Sequence, residues 1–169
     1  MLMQRLFKYV LLISTVISVS YAQTNTVDSA KRFTKVTHGY VMVLRQGDNV
    51  IVELEKFASS ENIPSANFTG MGFVNITFGF FDKQSKTYIP KDFNDVELAS
   101  MHGTIAYKDG KPKVHAHGVA GDKSFQTFGG HILNATVSTG SVEIFIVNHN
   151  KRFIRKKDET LGADVLHLE

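Results

Sequence analysis

His115 and His117 stand two residues apart in the run Lys113-Val114-His115-Ala116-His117-Gly118. The run reads as a strand, and side chains two apart on a strand share a face. The strand rise sets their Cα atoms about 7 Å apart, a spacing from which two imidazoles can converge on one ion. His131 follows a glycine pair in Phe128-Gly129-Gly130-His131 and enters the next strand, where glycine lets the backbones approach closely. Imidazole is the commonest protein ligand for metals. Three protein ligands plus water make the open arrangement of catalytic zinc. Strand histidines also occur with no ion attached, so the spacing alone leaves both readings standing. His38, His149 and His167 have no partner pattern and read as surface or core residues.

A hairpin signal adds geometry. Asp109-Gly110 in Lys108-Asp109-Gly110-Lys111 suits the positive φ angles of a tight two-residue turn. If that turn is central, His102 faces His117 and Thr104 faces His115, whereas a slip of one residue would turn His102 away. His102 is then a fourth ligand or a donor to one of the three. Glu97 is the acid or base best placed in the sequence, although strand parity sets it on the other face from His102 unless a bulge intervenes. The chain has no cysteine, which excludes disulfides, thiolate ligands and a thiol nucleophile. No Ser-His-Asp arrangement can be read. Neither glycine pair leads into a helix with Lys-Ser/Thr, so there is no phosphate loop.

The elements that must hold these residues are mostly strands. Tyr40 to Leu44 is β-branched and aromatic-rich, and ends at Gln46-Gly47-Asp48. Val50, Ile51, Leu54, Phe57 and Ala58 recur at helical spacing, with Asp48 or Asn49 to cap the start and Pro64 to close the end. Strands are expected over Phe73 to Phe81, Val96 to Tyr107 and Pro112 to Val119. His131 to Ser138 and Ser141 to Asn148 follow, about a turn at Thr139-Gly140, with a short last strand over Val165 to Leu168. One helix among antiparallel strands predicts an α+β class, and 169 residues predict one domain.

Residues 1–22 read as a signal peptide. Arg5 and Lys8 precede the apolar stretch Tyr9 to Val19, and Ser20-Tyr21-Ala22 supplies the small residues of a cleavage site. A retained membrane anchor is the alternative, but the stretch is short for a bilayer. Residues 23–35 are polar and read as a flexible lead-in, with the domain over 36–169. The expected location is periplasmic or secreted. Without residues 1–22 the balance is 17 Lys+Arg against 16 Asp+Glu, so the basicity of the whole chain comes partly from the targeting segment. The rest sits in Lys151-Arg152 and Arg155-Lys156-Lys157, which reads as an anion-facing patch or as a solvated edge hairpin. Charge alone makes no case for DNA.

Five motifs in order resemble the plants-and-prokaryotes-conserved (PPC) domain. They are Tyr40 to Leu44 with Gly47-Asp48; Gly70-Met71-Gly72-Phe73-Val74; Glu97-Leu98-Ala99-Ser100-Met101-His102-Gly103; Asp109-Gly110-Lys111-Pro112 leading into His115-Ala116-His117; and Gly129-Gly130-His131. They span residues 36 to 148. The resemblance implies a strand-rich domain packed around one helix and assembled as a homotrimer. In prokaryotic members the His-x-His and Gly-Gly-His elements imply zinc or another divalent transition metal on His115, His117 and His131, open to a small anionic ligand. Plant members set the domain beside an AT-hook, and no Arg-Gly-Arg-Pro segment stands in this chain. DNA binding and a metal-free ligand-binding trimer are the competing expectations.

Overall fold

The computed structural model describes residues 31–168, so the expected signal peptide lies outside the described residues. Phe33–Val36 (β1) pairs with Gly39–Arg45 (β2). Phe33 to Lys35, expected in the lead-in, are therefore strand. Packing explains it: the Phe33 ring meets Tyr40 and Phe57 edge-on, at centroid distances of 6.1 and 4.9 Å.

Four long strands build most of the domain. They are Ser65–Asp82 (β3), Thr87–Lys108 (β4), Lys111–Gly121 (β5) and Thr127–His149 (β6). β3 pairs with β4 and β6, and β5 pairs with the same two strands, so the four antiparallel ladders close into a cycle. β2 extends the sheet from β6. Ile154–Asp158 (β7) meets β4 in a parallel pairing at Tyr107 and Ile154, and pairs with Ala163–His167 (β8). The described chain is thus mostly β-sheet with one short helix, and the expected α+β class describes it only loosely.

That helix is Val50–Ser60 (α1). The Asn49 side chain caps it by accepting from the Val52 N–H at 3.0 Å, a device that contributes about 1 kcal/mol. The Asn49 amide also donates to Asn134 Oδ1 at 2.6 Å, which ties the helix start to β6. Val50, Leu54, Phe57 and Ala58 are buried against the sheet. They pack with Met42, Leu44, Met101, Ile105, Ala116, Ile144 and Ile146 in one core. Each large side chain contributes about 1.5–3 kcal/mol by leaving water. The helix covers one face of the sheet; the other face carries the histidines and is covered only in part, by β7 and β8.

Two expectations about strands need correction. The stretch before Val96 carries Pro90, Lys91, Asp92 and Asp95 and shows no alternation, yet β4 starts at Thr87 and pairs with the end of β3. The turn expected at Thr139-Gly140 does not fold the chain back. Residues 131–137 and 142–149 both pair with β3 and Ser141 pairs with Arg45 of β2, so residues 138–140 bulge out of one continuous strand. Gly140 supports the excursion at φ 60°.

Candidate metal centre

The hairpin fixes the site. Asp109 and Gly110 take φ 50° and 76°, as a tight two-residue turn requires, and Lys108 pairs with Lys111. From there His102 falls opposite His117 and Thr104 opposite His115, the register read from the sequence. The β5–β6 ladder then sets His131 opposite His117. Val119 pairs with Gly129 in the same ladder, and here glycine is required: a Cβ on Gly129 would lie 2.4 Å from the Gly118 carbonyl oxygen. A side chain there would push apart the two strands that carry His117 and His131.

His115, His117 and His131 each offer one ring nitrogen, and these atoms lie within 4.8 Å of one another. The ring centroids form a near-equilateral triangle with sides of 5.2, 5.0 and 5.2 Å. Tetrahedral zinc with bonds of about 2.0–2.1 Å holds its nitrogens about 3.4 Å apart. The broad χ2 well of histidine allows that contraction by ring rotation alone. The donor set fits in a further respect. His131 Nδ1 is buried and has no hydrogen-bond partner, a costly state for a ring nitrogen that a bound cation relieves.

His102 stands one rung away, with its ring centroid 6.4 Å from that of His117, and is not part of the triangle. It neighbours His117 without sharing the point of convergence. Glu97 does not join the cluster. A bulge between Leu98 and Ser100 does bring it to the open face, but its partner on β5 is Gly121, four residues beyond His117. Four residues of strand are about 13 Å, too far for a ligand or for a base acting at the histidines. Glu97 instead lines a separate hollow with Met71, Phe73 and Glu143.

Two residues at the site escaped the sequence reading. Tyr88 stacks on His131 at 4.5 Å between centroids, and it belongs to the half of β4 that shows no alternation. Arg155, lost in a run of basic residues, is only 9% exposed and donates from Nη2 to Thr104 Oγ1 at 2.7 Å. The Lys151 to Lys157 segment is therefore not simply a solvated edge. The signal that could have found Arg155 is the apolar pair Phe153-Ile154 just before it, which docks β7 on β4.

Electrostatics favour neutral imidazoles. Burial pushes His115 down to about 4, helped by the charges of Arg155 and His117. Burial likewise pushes His131 down to about 4, helped by His115, His117 and Arg155. His117 is lowered by burial and by His102. Unfolded histidine titrates near 6.5, so between about pH 6.5 and about pH 4 the unfolded chain binds more protons than the native one. Stability of the metal-free protein should therefore fall as pH drops through that window and level off below it. Urea midpoints of chelator-treated protein across the window test this. The slope should shrink in the double variant His115→Gln, His131→Gln, and an equal slope in both proteins would contradict the assignment.

The model of the Plants and Prokaryotes Conserved (PCC) domain matches residues 31–150. Solved structures resemble the chain over most of its length. A protein of Ralstonia eutropha JMP134, described as a candidate DNA-binding protein, is 48% identical with a TM-score of 0.79, covering 82% of this chain and 96% of that one. A plant- and prokaryote-conserved protein of Pyrococcus horikoshii is 28% identical with a TM-score of 0.70, covering 77% and 92%. A metal-containing protein of Archaeoglobus fulgidus is 26% identical with a TM-score of 0.71, covering 82% and 100%. Among curated proteins none matches the chain.

Proposed function

The chain belongs to the Plants and Prokaryotes Conserved domain family, and from that premise we propose that it is an exported, homotrimeric metal-binding member. Zinc or another divalent transition metal sits on His115, His117 and His131, with a position left for water or a small anionic ligand. The observation that carries the reading is the convergence of three ring nitrogens within 4.8 Å on the open face. The metal-containing relative from Archaeoglobus fulgidus supports it. A bound divalent ion supplies Lewis acidity and lowers the pKa of a bound water. Asp164 is the acidic residue lining the cavity at His115 and His131, and it is paired with Lys108 at 2.7 Å.

Self-association is supported by the open sheet face. Met71, Phe73, Val119, Phe145 and Val147 are 40–52% exposed there, more apolar surface on one side than a lone soluble domain usually leaves. Export rests on the sequence of residues 1–22. No helix among the described residues is long and apolar enough to cross a membrane.

Duplex DNA is the second reading, favoured by the description of the Ralstonia relative. Four basic residues around the histidine cavity offer it little. Arg155 is buried, and Lys108, Lys113 and Lys157 are engaged with Asp164, Glu55 and Glu159. One preparation of untagged mature protein separates the readings. About one metal ion per chain and no affinity for duplex DNA at low salt are expected. Metal-free protein that binds DNA with a steep salt dependence would overturn the proposal in favour of the second reading.

A further inference from the structure

Beside the histidines lies a cavity of about 510 Å³ whose lining includes His115, His131, Tyr88 and Arg155. That volume suits a small ligand. Its charges do not balance. Lys108 is matched by Asp164, Lys113 by Glu55 and Lys157 by Glu159. Arg155 has no direct ion pair among the described residues: Asp164 acts on it only at a distance while bound to Lys108, and the one hydrogen bond of its guanidinium goes to the neutral Thr104 hydroxyl. Its Nε is buried with no acceptor. Lys86, also on the lining, donates to the Glu159 carbonyl oxygen and not to a carboxylate.

A guanidinium carries five N–H donors, so a role as a strut for Thr104 leaves most of them unused. A buried charge that no carboxylate touches is strongly unfavourable unless something compensates it. Divalent metal on the neighbouring histidines would add to the positive charge, so the compensating partner must be an anion. The planar fork of arginine matches a carboxylate through two parallel bonds. Phe81, Tyr88 and Val114 give the same cavity an apolar wall, which suits a short carbon skeleton better than inorganic phosphate.

We infer that this cavity binds a small organic acid, its carboxylate held by Arg155 and a second oxygen of the same molecule directed at the histidine cluster. The inference rests on the metal-centre reading and names the class of ligand for it. Arg155 is a binding residue here.

The test is calorimetric titration of zinc-loaded, untagged protein with lactate, lactamide and inorganic phosphate, with metal content measured on the same samples. Lactate should bind at least about tenfold tighter than lactamide, and Arg155→Met should weaken it at least about tenfold with zinc content unchanged. Because Arg155→Met removes a buried charge that makes no direct ion pair, its thermal midpoint should equal or exceed that of the parent. A strut would give the opposite. If Arg155→Met does not fold, Arg155→Lys, which keeps the charge and loses the fork, should show the same loss of lactate. Undiminished lactate affinity in a folded Arg155 variant overturns the inference while leaving the metal centre intact. So does phosphate binding tighter than lactate, or no lactate binding to zinc-loaded parent. Protein that holds no zinc refutes the metal reading; arginine-dependent lactate binding in that protein would still support the carboxylate site.

Discussion

His131→Ala is expected to take the metal content of untagged protein from about one ion per chain to less than about 0.3, with affinity down more than a hundredfold. The basis is the triangle of rings, in which His131 stands 5.0 and 5.2 Å from the other two centroids. Perturbing a group that merely supports a ligand costs about 10–100-fold in metal affinity, so deleting a ligand should cost more. His102→Ala supplies the contrast. Its ring lies 6.4 Å from His117 alone, so its effect should stay within about tenfold. Competition titration with a chromogenic chelator measures both. A large loss in His102→Ala with little change in His131→Ala would mean that the ion sits between His102 and His117 and not in the triangle.

Phe57→Ala should be the most destabilising single change away from the site, by about 3–5 kcal/mol. Phe57 is 2% exposed and is the central ring of an aromatic group, edge-on to Phe33 at 4.9 Å and to Tyr40 at 4.8 Å. Removing it leaves a cavity between helix and sheet and takes from β1 the ring that holds it. A domain of this size should lose about 10 °C or more in Tm. Below the transition the metal content should not change, because α1 packs on the face opposite the histidines. A variant that keeps its Tm, or one that loses metal while folded, would contradict this division of the sheet into a core face and a binding face.

Where the chain obeys a local rule, its sequence was enough. The Asp109-Gly110 turn set the register of β4 and β5, and with it the pairing of His102 with His117. Helical spacing from Val50 and the cap at Asn49 gave α1. What stayed hidden depends on pairing between distant segments. Thr87 to Asp95 shows no alternation because its strand is specified by β3 and not by its own face, and Tyr88 was hidden with it. The bulge at residues 138–140 reads locally as a turn, and only the shared partner β3 shows that the strand continues beyond it. Arg155 is buried by the docking of β7 on β4, a contact between distant segments that a run of basic residues cannot announce. Glu97 is the converse case: a local bulge turns it to the face of the histidines, but its register opposite Gly121 keeps it far along the strand from them.

The most direct test is diffraction from crystals of untagged protein recorded on both sides of the zinc absorption edge. An anomalous peak about 2.0–2.1 Å from one nitrogen each of His115, His117 and His131 is the expected result. A peak held by other residues, or three imidazoles turned away from one another with no peak between them in any subunit, would contradict the metal centre on which the functional reading stands.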